Sequence, residues 1–551
     1  MRAAYTYPTL PYAPTVPEML RAVVGAHTDH ELLVATRGDG TTERITYGDA
    51  DARSSDLAGR LLAAGVGKGT RVGLLAPNGP EFAVGAIAAT RIGAVVVPIN
   101  TMFQPRELAW VLRHSDVHTL LTVPTILGKD CLDRIEAAVP ALGTRPVSDP
   151  PLLAIPEFPF LRHVAVLGDA SRAWTSPLAA GFDASMLAAA EGAVTESDDI
   201  AVIYSSGSMA EPKGVIHTHG ALIRHAHFVA SEHRWTDADR VYVPMAFFWV
   251  GGLVFGFFGP LQLGVTILTE HRFDAGDVLA FLSQERVTYA TGWAHVGPAL
   301  ANHPDFPDTD LSTLRDGYQQ VLLPPERRTP DPTLRVAQLG MTETCSSHTW
   351  WPPQEELPEA KRGSVGRSGP GFEHRIVDET GAEAPIDSVG EIYVRGAALM
   401  RGMVGRSRAE VFDADGWYHT GDAGRFDADG HLYFAGRTDD MIKTAGANVS
   451  PVEVEGVLQA MPEVREAYVV GVPDPERGAI VTGVVVTARG ATVAADELTA
   501  RCRASLAAYK VPKRWEIVPT ADPLPYTTTN KIDRRLLVDR LVAGPIGAAE
   551  A

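Results

Sequence analysis

The sequence predicts an α/β protein: a large N-terminal domain of mixed sheets with helices, followed by a small α+β domain at the C-terminal end. Three observations predict it. Apolar strand runs alternate with amphipathic helical stretches over most of the chain, the order that builds parallel crossover units. After Asp422 the pattern changes to short strands and turns. The length of 551 residues is enough for several folding units at roughly 100 to 200 residues each.

In chain order, residues 51–62 have the spacing of an amphipathic helix, with Gly65 just beyond it, where a left-handed cap favours glycine. Residues 71–76 read as a strand, 82–91 as a helix and 94–98 as a second strand, parallel to the first. Runs at 164–167, 200–203 and 265–268 extend the strand set. The proline-rich stretch 146–159 reads as a surface loop. No charge falls between Arg240 and Glu270, a length that could cross a bilayer by hydropathy. Pro244, Pro260 and several glycines break it, so a buried strand-loop-helix region is expected there. Residues 427–430 read as a hairpin turn before a strand at 431–434. Ser450-Pro451-Val452-Glu453 reads as a helix start with a capping box, the helix running toward Gln459. Strands at 467–472, 481–487 and 515–518 and a helix at 497–506 complete a domain of about 110 residues. The boundary falls near 437–440, giving domains 1–437 and 438–551.

Composition narrows the function. Hydrophobic residues at 45% and charged residues at 21% are those of a folded globular chain, not a disordered or fibrous one. Lys and Arg number 49 against 67 Asp and Glu, a net charge of −18, which argues against a broad basic surface for nucleic acid or anionic lipid. A polyanionic ligand must then be held by a local site. Cys131, Cys345 and Cys502 lie far apart without CxxC spacing, so neither a disulfide framework nor structural zinc is expected, and a reducing cytoplasm fits. The N-terminus lacks the apolar stretch of a secretory signal, so export is not expected.

Five clusters carry the chemistry. Ser205-Ser206-Gly207-Ser208-Met209-Ala210-Glu211-Pro212-Lys213-Gly214 follows an apolar strand, where backbone N–H groups, hydroxyls and one ammonium can surround a phosphate. It lacks Walker A spacing. Gly340-Met341-Thr342-Glu343-Thr344 sets a hydroxyl beside a carboxylate, which suits a phosphate contact and a magnesium ligand. Asp422, after the turn His419-Thr420-Gly421, can accept hydrogen bonds from ribose hydroxyls. Gly436-Arg437-Thr438-Asp439-Asp440 supplies a guanidinium and two carboxylates at the boundary, and Thr527-Thr528-Thr529-Asn530-Lys531 presents a lysine on a polar loop. Taken singly, each of these also reads as a solvated turn or an ion pair.

In this order and spacing, over roughly residues 45–535, they resemble the adenylate-forming, acyl-activating superfamily, which includes AMP-forming acyl-CoA synthetases. The resemblance implies a small mobile C-terminal domain, ATP, Mg2+ and coenzyme A as cofactors, and a small-molecule carboxylic acid as substrate. The acid would be joined to AMP with release of pyrophosphate and then passed to a thiol. Carried over by position, Ser205, Ser206, Gly207, Ser208 and Lys213 would hold the β- and γ-phosphates. Thr342 would touch the α-phosphate, Glu343 the magnesium, and Leu339, Gly340 and Met341 would border the nucleotide. Asp422 and Arg437 would bind the ribose, Asp439 would be the hinge, and Lys531 would bridge carboxylate and α-phosphate. Gly446 would line the pantetheine channel, and Lys443 would belong to that second active face.

The chain departs from the family pattern at Met209-Ala210, at Leu339 where an adenine-stacking aromatic is usual, at Gly317-Tyr318-Gln319-Gln320-Val321 in place of a glycine-rich loop, and at Asn530. Phe247, Phe248, Trp249, Gly251, Trp293 and His295 lie where the family builds its acyl pocket and favour an aromatic or medium-length acid, although such aromatics equally serve as core. His219 has two readings, pocket wall or structural histidine. The leading function is a carboxylate–CoA ligase. The alternatives are delivery of the acyl-adenylate to a carrier-protein thiol, an amine or another small nucleophile, and a catalytically silent binding protein. No stable membrane insertion and no nucleic acid are expected, and a homodimer stays open.

Overall fold

The alternating apolar runs assemble into two sheets. The computed structural model describes residues 5–37, 40–144, 152–178, 183–205, 212–293, 295–335, 338–444, 447–475, 477–506, 508–519, 521, 524–527 and 531–544. The chain divides into two units, one of residues 2–373 and 395–417 and the other of 374–394 and 418–551.

In the first unit a seven-stranded sheet runs Gly402–Met403, Lys213–Thr218, Asp199–Ser205, Val95–Pro98, Arg71–Leu75, Thr119–Thr122 and His163–Val166. Arg71–Leu75 and Val95–Pro98 pair in parallel, as expected for strands joined through the helix Pro80–Arg91. A six-stranded sheet runs Asp316–Gly317, Tyr289–Ala290, Arg240–Tyr242, Thr266–Glu270, Glu31–Thr36 and Thr42–Thr46. The largest core, with Val72, Val96, Ile200, Ile267, Phe82 and Phe257, is buried between these layers and their helices. A second core, with Tyr242, Leu268, Val278, Leu282 and Leu300, packs the helix Ala275–Gln284 onto the six-stranded sheet.

The helix Tyr47–Ala63 contains the predicted 51–62 stretch, and Gly65 beyond it has φ +82°. The uncharged 240–270 region is a strand, a wide helix at Gly251–Phe258 and a second strand. Among the described residues no helix is long and apolar enough to cross a membrane. The three cysteines are free and buried.

The second unit holds a four-stranded sheet, Glu373–Val377, Gly390–Arg395, Tyr418–Phe426 and Leu432–Arg437, and a three-stranded sheet, Val464–Asp474, Gly478–Thr487 and Arg514–Val518. Both faces of the latter are covered, which explains the near-continuous apolar run at 481–487. Val469 and Val485 face Val454, Leu458 and Leu498, while Val470, Val484 and Val486 face Leu537 and Leu541 of the helix Arg534–Ala543. The helix Pro451–Gln459 begins as predicted, with Ser450 Oγ accepting from Glu453 N at 3.2 Å. The capping box is only half formed, because the Glu453 carboxylate takes Lys510 Nζ at 2.6 and 2.7 Å instead.

Candidate active site

The first unit carries one part of the predicted set. Ser205 ends its strand and Lys213 opens the next, and the antiparallel register sets the two side by side. Ser206, Gly207, Ser208, Met209 and Ala210 lie outside the described residues. Gly340–Met341 pairs with Ser346–Ser347, and Thr342–Thr344 is the tight turn between them. Glycine is required at 340, because a Cβ there would sit 2.5 Å from Ser346 O. Leu339 is half-buried and its N–H donates to Thr349 Oγ1 at 2.8 Å.

The turn is pinned from outside. His217 Nε2 lies 2.8 Å from Thr342 O, and Met400 N donates to Glu343 O at 2.8 Å. Burial pushes the His217 imidazole down to about 4, so it is neutral at physiological pH. A carbonyl only accepts, so Nε2 carries the proton. His219 follows the structural reading: its Nδ1 accepts from Val16 N at 3.3 Å.

The aromatics divide. Phe247 has no exposed surface and packs on Phe82 and Phe257 with ring centroids 5.4 and 5.5 Å apart, so it belongs to the core. Phe248 is buried against Trp249 at 5.1 Å. A Cβ on Gly251 would come within 3.9 Å of the Trp293 ring, so the space over this glycine is bordered by the indole. Trp293 is 46% exposed, and its carbonyl accepts from Gln319 Nε2 at 3.1 Å. His295 is exposed at the start of the helix Val296–Ala301. Tyr318, in the loop expected near adenine, turns inward: Gln338 Nε2 donates to its hydroxyl at 2.9 Å, and that oxygen lies 2.7 Å from His233 Nε2.

The second unit carries the rest. Asp422 and Arg437 are direct register partners on adjacent strands, with Arg437 Nη1 donating to Asp422 Oδ1 at 3.0 Å. Asp422 is buried and Arg437 exposed. Gly421 has φ +70°, and a Cβ there would lie 2.9 Å from an Arg437 nitrogen, so the guanidinium crosses over glycine. Asp439 lies in the short turn Thr438–Asp440. Lys443 is exposed, paired with Glu379 at 3.2 Å, while Gly446 lies outside the described residues. Lys531 is exposed on a clamped loop. Its N–H donates to Thr527 Oγ1 at 3.2 Å, its carbonyl accepts from Thr527 N at 2.7 Å, and Tyr526 bridges Ile532. Asp533 then caps the next helix through Leu536 N at 3.0 Å.

Among the described residues no group of three or more His, Cys, Asp or Glu could hold a metal ion. A single half-buried carboxylate, Glu343, nevertheless fits magnesium, which keeps its waters and enters on substrate phosphates rather than in an all-protein cage.

The described residues thus hold a hydroxyl beside a carboxylate on the 342–344 turn of one unit, and a hydrogen-bonded Asp422–Arg437 pair and an exposed Lys531 on the other. The AMP-binding enzyme model matches residues 20–404, and the AMP-binding enzyme C-terminal domain model matches 453–531. The chain belongs to this family and is an acid–CoA ligase that uses ATP. A feruloyl-CoA synthase of Amycolatopsis sp is 34% identical over 90% of this chain and 94% of its own. The crystal structure of an anthranilate CoA ligase with anthranoyl-AMP has the same fold, with TM-score 0.78 and 23% identity over 97% of this chain and 99% of that one. An amide bond synthetase from Marinactinospora thermotolerans matches with TM-score 0.72 and 26% identity over 96% and 99%.

Proposed function

We propose that the chain converts a carboxylic acid, ATP and CoA into acyl-CoA, AMP and pyrophosphate in two half-reactions, with the residue roles that follow. In the first, a carboxylate oxygen attacks the α-phosphorus and the bond to the β-phosphate oxygen breaks. Three anionic groups crowd together there, so cationic and hydroxyl groups aimed at the developing charge lower the barrier. Lys531 is the ammonium between carboxylate and α-phosphate, Thr342 the α-phosphate hydroxyl, and Lys213 with Ser206 and Ser208 the cradle for pyrophosphate. Asp422 accepts from the ribose hydroxyls, and Arg437 orients it. Magnesium, held by Glu343, would neutralise phosphate charge when bound.

In the second half-reaction the CoA sulfur adds to the acyl carbonyl, AMP leaves with the carbonyl–oxygen electron pair, and the thiol proton is released. We assign the hinge to Asp439 and the boundary to 437/438, with rotation bringing Lys443 and Gly446 to the thiol path. The Trp293 indole bordering the space over Gly251 favours an aromatic or medium-length aliphatic acid. Three free buried cysteines support a cytoplasmic setting.

The observation that carries the reading is the Asp422–Arg437 pair, built by strand register on the unit that also holds Lys531. The test is a panel of aromatic and aliphatic acids with ATP, reading AMP and thioester mass with and without CoA. CoA-dependent thioester is the expected product. An acylated amine or carrier protein formed without CoA would move the acceptor, and no AMP with any acid would overturn the reading.

A further inference from the structure

At the edge of the seven-stranded sheet lies a groove that the proposed chemistry does not use. It encloses about 390 Å³ and is lined by Arg71, Arg401, Arg406 and Arg408 around Ile216 and Met403. A smaller cavity of about 120 Å³ shares Met403, Val404 and Arg406 with it and continues past Trp110 and His114 to Lys213. The arginines therefore stand at the far end of a path that starts at the phosphate-loop lysine.

Two of the four guanidiniums are already matched. Arg71 pairs with Asp116 at 3.0 Å, and Arg401 is held by both Asp199 oxygens at 2.5 and 2.7 Å. Arg408 lies 4.7 Å from the Phe412 ring centre, and the Glu410 carboxylate is held below its usual range by Ser407 and, beyond that, by the nearby Arg406 charge. The nearby Glu410 is occupied at its helix cap, accepting from Ser407 N and Oγ at 2.7 Å. Two exposed forks, one of them only loosely engaged by Glu410, thus line a concavity on a chain of net charge −18. On such a surface a positive hollow concentrates anions, and guanidinium forks match phosphate oxygens in pairs.

We propose that this groove is a second oligophosphate site, distinct from the phosphate loop. It would take either the departing pyrophosphate or the phosphorylated adenosine end of CoA. The inference rests on the ligase reading, since that reaction supplies both ligands.

The test uses the full chain carrying R406Q and R408Q together, with R21Q, combined with R272Q so that the control also removes two charges, as a control for net charge. Calorimetric titrations use pyrophosphate in one arm and adenosine 3′,5′-bisphosphate in the other, and thermal unfolding checks the fold. The phosphate loop remains in every variant, so in the pyrophosphate arm the groove is read as the weaker of two binding events. The expected result is a loss of at least about fivefold in one arm, absent from the R21Q and R272Q control. Loss in the pyrophosphate arm assigns the leaving group, and loss in the bisphosphate arm assigns CoA. Unchanged binding in both arms, or an equal loss in that control, overturns the proposal. A wild type that makes no AMP with any acid would sink the ligase reading while leaving this comparison intact, so the two failures are distinguishable.

Discussion

Replacing Glu270 by Gln should stabilise the protein at neutral pH, and the gain should grow as pH rises. Glu270 ends the strand Thr266–Glu270, buried, with Oε1 accepting from the Tyr242 hydroxyl at 3.1 Å and Oε2 buried without a partner. Burial disfavours the carboxylate and pushes the group from 4.5 up to about 8. The folded chain thus keeps a proton that the unfolded chain releases. Full stability is present below about pH 4.5 and is lost as pH climbs toward 8, at about 1.4 kcal/mol per pH unit. By pH 7 the accumulated cost is about 3 kcal/mol. Glutamine cannot ionise, keeps an oxygen for Tyr242 and places an N–H₂ where the protonated acid has its O–H. Its own burial cost is therefore close to that of the neutral acid. Urea unfolding of wild type and E270Q from pH 5 to 8 should diverge, E270Q becoming the more stable by up to about 3 kcal/mol at pH 7. Parallel curves across that range would mean the carboxyl ionises freely in the folded state, and the burial argument would fail.

Two further outcomes follow from the site. K531A should slow acid-dependent exchange of pyrophosphate into ATP by at least about a hundredfold. It should leave thioester formation from a preformed acyl-adenylate within about threefold of wild type, and equal loss in both assays would remove Lys531 from its assigned half-reaction. H217L should lower kcat for adenylation by about tenfold with the KM for ATP nearly unchanged, because it frees the Thr342 carbonyl rather than removing a substrate contact. H217Q, which can still donate, should recover part of that loss. The wild-type profile should show no inflection from this histidine above pH 5, since burial holds it near 4.

Much of this was legible in the sequence because it depended on local pattern. The 71–98 crossover and the 427–430 turn were marked by apolar period and by Gly and Asp. What failed needed the third dimension. Ser450 and Thr46 both cap helices, but only Thr46 completes a box, with Asp49, because Lys510 draws Glu453 away. The helix Arg534–Ala543 went unread since only Leu537 and Leu541 of it are buried, too narrow a stripe to stand out. Asp422 and Arg437 were read as separate ribose contacts, and only the strand register makes them one hydrogen-bonded pair. Phe247 and Trp249 look alike in sequence, yet one lies between Phe82 and Phe257 and the other stays partly open. Arg71 lies more than three hundred residues from Arg401, Arg406 and Arg408, so no spacing rule could have joined it to them in the groove.

The turn at 342–346 shows why so much structure surrounds so few reacting groups. Cys345 and Ser346 hold φ at 59° and 120°, values that cost residues with side chains about 1 to 3 kcal/mol each. Such a turn persists only if its surroundings over-determine it, and here they do. His217 holds the Thr342 carbonyl, Met400 the Glu343 carbonyl, and Thr344 Oγ1 donates to Ser346 O at 2.7 Å while accepting from Met341 N at 3.2 Å. The three supports come from a strand, a loop more than fifty residues away and the turn itself, so no single loosening resets the geometry. On the proposed assignment, groups fixed this way would need no reorganisation as charge develops on the α-phosphate, which is where preorganisation lowers a barrier most. Lys531 differs: its backbone is hydrogen-bonded to Thr527 and its side chain is exposed. On the proposed assignment, a cation needed in only one of two half-reactions would gain from being carried on a body able to withdraw it, whereas the hydroxyl and carboxylate would gain from staying fixed.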